Sequence, residues 1–285
     1  MYKIILFLII AIVSFSCEHE DRGFIEIFDV DNPIFVGETV KFSYNTEPAS
    51  TKPTWSSNNT NVADVDQNGN VTGKAEGVAV ITATSHNGLE DKFTIIVVKP
   101  TVIVMKTNSP SISFSMNYAS IFATPFDTVL TFNRAIIDYG DGTPIEILDA
   151  LGKDFNHVYS VVKEHTITIT GINLGHLWCA DNQLTSFVIS NNSTLETLVL
   201  DGNELTNLDL TGSSALSQIH LQYNLFQYNA LIYLFNSLHS NTAGEWGDYS
   251  ISINCNPGTL DVDFDISVAN NKGWHVSYWW YCDDH

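Results

Sequence analysis

The segment AIIDYGDGTP, residues 135–144, sets Asp138 and Asp141 beside Gly140 and Gly142 after an apolar run. Two carboxylates on a glycine turn are the start of either a calcium loop or an acid–base pair. Calcium takes roughly six to eight oxygens, so about three or more further ligands would be needed, and the neighbouring sequence places none. Calcium stays open as an alternative for the turn, while the expectation is no metal and no cofactor. Paired-carboxylate catalysis would need a second acid, a nucleophile or a base tied to the turn, and none is. The other tempting constellation is HLWC, in which His176 could activate a Cys179 nucleophile. Whether it does depends on which side of its element each residue faces.

A 21-residue period supplies that element. LGHLWCADNQLTSFVI, LETLVLDGNELTNLDL and LSQIHLQYNLF superimpose, matching Leu174, Leu195 and Leu216, then Leu177, Leu198 and Ile219, then Cys179, Leu200 and Leu221, then Asn182, Asn203 and Asn224. Each repeat reads as a short strand followed by a turn whose asparagine amide bonds the backbone of adjacent coils. Alternation along the strand sends Leu177 and Cys179 inward and His176, Trp178 and Ala180 outward. A core-facing thiol with its histidine on the opposite side is a poor nucleophile, so no catalytic residue is expected. The repeats resemble leucine-rich repeats of the short bacterial type. Their outward positions, taken as the candidate ligand-binding residues, are His176, Trp178, Thr197, Val199, Asp201, Gln218, His220, Gln222, Ser252 and Asn254. After Asn224 the residues Leu231, Leu234, Phe235 and Leu238 fall at helical spacing and predict a capping helix. YSISINCNPGT then restores a coil, with Ile253 and Asn256 in the Leu221 and Asn224 roles, and SVANNKGWHVSYWWYC is expected to supply a last strand and a C-terminal cap.

Ahead of the repeats, residues 24–99 alternate in short β-branched and aromatic runs broken by DQNGN and SHNGLED, the spacing of a β-sandwich. The order VGETVKF, then PTWSSNNTNVADVDQNGNVTGKAEGVAVITAT, then DKFTIIVV closely resembles the bacterial group 2 immunoglobulin-like domain. The resemblance implies a core role for Trp55, a hairpin role for Gly69, a turn at Gly73 and Gly77, and a stalk or adhesive module without catalysis. Residues 101–170 carry the acidic glycine turn, then His-x-Tyr in FNHVYS, then an alternating strand. That order resembles the polycystic-kidney-disease (PKD) type β-sandwich, although VVKEH stands where the family has a glycine. In that fold Asp138, Gly140, Asp141 and Gly142 form a tight turn whose carboxylates bond their own backbone amides. The expected fold is mainly β: an Ig-like sandwich at 24–99, a PKD-like sandwich at 101–170, and a short leucine-rich-repeat solenoid with a capping helix at 171–285.

MYKIILFLIIAIVSFS, residues 1–16, has one lysine, an apolar core and a small-residue end, as a secretory signal peptide does. SFSC resembles a bacterial lipobox, which implies lipidation of Cys17, and the acidic CEHEDRG, a linker over 17–23, resembles a surface-export signal. With Cys17 acylated, three of the four cysteines remain, and a buried Cys179 leaves Cys255 and Cys282 as the plausible disulfide. The expected location is therefore the outer membrane, through a lipid anchor only, exposed at the cell surface. The chain has 12 basic and 32 acidic residues, a formal charge of -20, which repels phosphate backbones and sets nucleic acid aside as a partner. A non-catalytic binding or adhesion protein that contacts a protein or carbohydrate through its repeats is the reading these features favour. The alternatives are a purely structural envelope protein or a glycan-active hydrolase, the latter lacking any paired-carboxylate cleft.

Overall fold

A computed structural model of the chain describes residues 23–28, 32–47, 52–119, 133–148, 152–241, 249–261 and 263–278. The expected signal peptide, Cys17 and Cys282 lie outside the described residues. The first sandwich contains β1 (Phe24–Phe28), β2 (Ile34–Phe35), β3 (Thr39–Lys41), β4 (Ser43–Glu47), β5 (Thr54–Ser57), β6 (Ala63–Val65), β7 (Asn70–Gly73), β8 (Gly77–Thr84) and β9 (Glu90–Val98). Its sheets run β2-β9-β8-β5, β3-β7-β6 and β1-β4. Alternation builds the core: on β8, Ala79, Ile81 and Ala83 point in and are buried. Trp55 is buried among the edges of Phe42 and Tyr44, with ring centroids 6.0 and 5.8 Å away. Gly69 has φ +80°, and any Cβ there would press on the Trp55 ring at 3.1 Å, so the hairpin needs a glycine for both its backbone and its close approach.

The second body contains β10 (Thr101–Thr107), β11 (Ser111–Tyr118), β12 (Arg134–Asp138), β13 (Glu146–Leu148), β14 (Lys153–Val158), β15 (His165–Ile172), β16 (Leu174–Trp178), β17 (Leu184–Ser190), β18 (Thr197–Val199), β19 (Gln218–His220), β20 (Ser250–Ser252) and β21 (His275–Ser277), with helices α1 (Tyr228–Ser237) and α2 (Ser267–Asn271). A five-stranded sheet runs β13-β12-β15-β10-β17, and a seven-stranded sheet runs β14-β11-β16-β18-β19-β20-β21. β16, β18, β19, β20 and β21 are parallel in the second sheet and advance one strand per coil. Leu177, Leu198, Ile219, Ile251 and Val276 stand in register and are all buried.

The expected boundary at 170/171 falls inside β15. The free edge of β11 bonds β16, the free edge of β10 bonds β17, and one core continues from Ile103 to Val276. Closing both edges on the first coil leaves no linker, so residues 101–172 and the coils form one body. α1 buries Leu231, Leu234 and Phe235 against that core, with Leu238 buried at its end. The expected last strand is shorter than the sequence suggests. Residues 267–271 form α2, whose start is held by Asp265 accepting from the Ser267 N–H at 2.8 Å and from its hydroxyl at 2.7 Å, and the strand begins only at His275.

An ion pair among the described residues joins the two bodies. Arg134 on β12 donates from Nη1 and Nη2 to the two Glu38 carboxylate oxygens at 2.8 Å each, and its guanidinium lies 4.9 Å from the Phe35 ring centroid. Burial pushes the Glu38 carboxyl up, but hydrogen bonds from Arg134 and the Phe35 N–H outweigh this and hold it below its ordinary value.

Candidate binding face

Two side-chain columns fix the coils. Asn182, Asn203, Asn224 and Asn256 are buried one above another. Asn203 accepts at Oδ1 from the N–H groups of Asn182 and Leu184, both at 3.0 Å, and donates from Nδ2 to the carbonyls of Cys179 and Leu200 at 2.9 and 3.0 Å. Each amide thus satisfies turn groups that would otherwise be buried unpaired. The first of them, Asn182, exchanges bonds with the N–H and carbonyl of Ser113 at 2.7 Å, so β11 takes the place of a preceding coil. The residue before each asparagine, Asp181, Gly202, Tyr223 or Cys255, is left-handed, with φ of 57, 65, 54 and 59°. Only one of the four is the glycine this conformation favours.

With the coils stacked at the strand spacing of about 4.8 Å, the outward residues form three rows. Asn117, His176, Thr197, Gln218, Ser250 and His275 make one row. Asp154, Ser115, Trp178, Val199, His220, Ser252 and Ser277 make the second. Asn156, Ser113, Ala180, Asp201, Gln222 and Asn254 continue the third by the same alternation. Gln218 is exposed, and His176, Trp178, Val199, Asp201, His220, Gln222, Ser252 and Asn254 are half-buried. Thr197, expected to face outward for a ligand, sits in its row between His176 and Gln218 but is buried and offers little surface. Trp178 and His220 share a row two strands apart, with Val199 between them.

Sequence reasoning missed the far side of this face. The residues Ser113, Ser115, Asn117, Asp154 and Asn156 lie on β11 and β14, which the resemblance to a PKD-type sandwich set apart from the repeats. The alternating SISFSMN marked a strand with a polar side, and only the long-range pairing of β11 with β16 places that side beside Trp178.

The face holds its own hydrogen-bond chain. Asp201 Oδ1 accepts from the Gln222 N–H at 2.8 Å, and Gln222 Oε1 accepts from Asn254 Nδ2 at 2.7 Å. Burial raises the Asp201 carboxyl above its ordinary value, against the hydrogen bond from Gln222 and the nearby His220. His176 and Trp178 stack, with centroids 5.3 Å apart and planes within 11°. Among the described residues, the buried atoms His176 Nδ1 and Asn254 Oδ1 have no hydrogen-bond partner.

The acidic turn and the thiol lie elsewhere. Asp138 accepts from the Gly140 N–H at 2.8 Å, and Asp141 accepts at Oδ1 from the Thr143 N–H and hydroxyl at 3.0 and 2.7 Å. Asp141 Oδ2 lies 2.8 Å from His157 Nε2, and Tyr139 stacks on the His157 ring at 4.1 Å. The Thr143 hydroxyl, then His157, hold the Asp141 carboxyl far below its ordinary range. Among the described residues, no cluster of three or more His, Cys, Asp or Glu could hold a metal ion. Cys179 is fully buried with Sγ 3.8 Å from Met105 Sδ, and burial pushes its thiol up to about 12. Cys255 is disulfide-bonded, and its expected partner Cys282 lies outside the described residues.

Residues 31–106 match the family described as bacterial Ig-like domain (group 2), a span that starts in the first sandwich and ends within β10. No curated protein matches the chain. Among solved structures it is similar to an intimin–Tir90 complex (21% identity, 34% of this chain and 53% of that chain, TM-score 0.24) and to an EHEC O157:H7 intimin mutant (15%, 50% and 94%, TM-score 0.23). A third is a Bacteroides ovatus mixed-linkage glucan utilization locus protein, SGBP-B, in complex with a mixed-linkage heptasaccharide (6%, 48% and 49%, TM-score 0.18). The chain spans about half, 53%, of the first of these. Residues 31–106, with the buried Trp55 and its covering Gly69, are a bacterial Ig-like domain of group 2.

Proposed function

We propose that this is a non-catalytic binding or adhesion lipoprotein of the cell surface, anchored by lipid at Cys17. The Ig-like domain acts as a spacer, and the PKD-like and leucine-rich-repeat-like parts carry a face that contacts a protein or carbohydrate. The observation that supports this best is the outward side of the seven-stranded sheet: three rows of short polar side chains around the stacked pair His176 and Trp178. Aromatic surface among uncharged polar groups suits recognition by stacking and hydrogen bonding. The described residues include no helix long and apolar enough to cross a membrane, which fits attachment by a lipid.

Trp178→Ala is expected to weaken binding to a partner found by cross-linking on intact cells by about 2 kcal/mol while leaving the melting temperature unchanged. Isothermal titration and thermal melts of parent and variant read the two effects. A lowered melting temperature with unchanged affinity would make Trp178 a packing residue and remove the face from the function.

A further inference from the structure

We infer that the occupant of the seven-stranded face is an uncharged glycan chain, seated against Trp178 above Ala180; this rests on the reading of that face as the binding surface. Along a strand, residues two apart are neighbours on one side, so Trp178 stands between His176 and Ala180. His176 covers one face of the indole, with planes 11° apart. On the other side along the strand stands Ala180, half-buried, whose methyl is too short to cover the indole, and the sugar ring is placed in the notch above it. Val199 stands beside Trp178 on the next strand and widens the apolar wall.

The rim of the notch is polar on both sides. Toward β11 stands the exposed pair Ser113 and Asn156, joined at 2.7 Å. Toward β18 begins the bonded row of Asp201, Gln222 and Asn254, which ends in a buried Asn254 Oδ1 without a partner among the described residues. A pyranose ring has an apolar C–H face and a rim of hydroxyls that both donate and accept. The C–H face suits Trp178 and Val199, and the hydroxyls suit a carboxylate, amides and a hydroxyl. The polar row continues across two more strands, so a chain of sugars fits better than a single one.

Charge and composition decide between occupants. No lysine or arginine stands in the three rows, and the chain carries a formal charge of -20, so sulfated, phosphorylated or uronic glycans are repelled. A protein partner is served by a cluster of large apolar and arginine anchors, and here a single tryptophan stands among short polar side chains.

The test is binding of the purified full chain to neutral gluco-, manno-, galacto- and xylo-oligosaccharides, alongside sulfated and sialylated glycans. At least one neutral oligomer is expected to bind, with Trp178→Ala and Ala180→Leu each weakening it about tenfold or more. Ala180→Leu adds a side chain on the solvent side and leaves the melting temperature in place, so it fills the notch without touching the core. Tyr233→Ala, on the exposed side of α1, removes only its hydrogen bond to Asp209 and is expected to leave binding unchanged. Binding of charged glycans alone, or of a neutral oligomer that Ala180→Leu does not weaken, overturns the inference. If no neutral oligomer binds but a protein cross-linked on intact cells is lost in Ala180→Leu, the glycan falls and the face stands. If no ligand of either kind depends on the face, both fall.

Discussion

Asp141 shows how a residue that looks catalytic is spent on structure. One oxygen closes the turn on Thr143 and the other meets His157, whose ring stacks on Tyr139. Because its folded carboxyl is held below the ordinary value, its contribution to stability is complete at neutral pH and persists above about pH 4. It is lost as the pH falls toward the lowered value. Asp141→Asn is therefore expected to lower the melting temperature at neutral pH, with the gap to the parent closing in acid. Melts recorded from about pH 7 down to about pH 2 check this, and a gap constant over the range would assign the loss to shape instead of charge. The turn itself was legible, since Asp-x-Gly and Asp-Gly-Thr spell out their own backbone bonds. The partner was not, because His157 lies sixteen residues away on β14, and nothing in the spacing says that β14 returns beside the turn.

At the scale of elements, the coil is held by amides more than by its leucines alone. Asn203 joins two turns through five bonds, and an apolar replacement would leave buried N–H and carbonyl groups unpaired. Asn203→Leu is expected to destabilise the second body by about 1 to 3 kcal/mol, read from urea denaturation. An unchanged midpoint would mean that the turns are satisfied by other groups. The coils were legible because a fixed period repeats both the inward leucines and the turn asparagines. The face they belong to was only half legible: β11 reads as a strand from SISFSMN, but its partner β16 begins more than fifty residues later in the chain. Pairing at that distance is set by which free edge remains to be closed, and local pattern does not record it. α2 was missed for a similar reason, since a five-residue helix carries too few apolar positions to show a period.

For the whole molecule, a bidentate ion pair among the described residues ties the Ig-like domain to the second body, with only 16% and 23% of the Arg134 and Glu38 side chains exposed. A pair this sheltered is costly to break from one side, because the carboxylate left behind is poorly solvated. Arg134→Ala is expected to loosen the joint by about 1 to 3 kcal/mol and to resolve the two bodies as separate transitions in calorimetry. A single unshifted transition would show that other contacts carry the junction. One further property follows from the parallel ladder: Leu198 and Ile219 are 21 residues apart, whereas Ile219 and Ile251 are 32 apart, and yet both pairs stand in register. Part of the extra length is α1, which packs its Leu231, Leu234 and Phe235 on the inward side of the ladder, away from the rows. A helix inserted on that side therefore need not disturb what is displayed, so a coil can grow in bulk while its outward strand keeps its place in the rows.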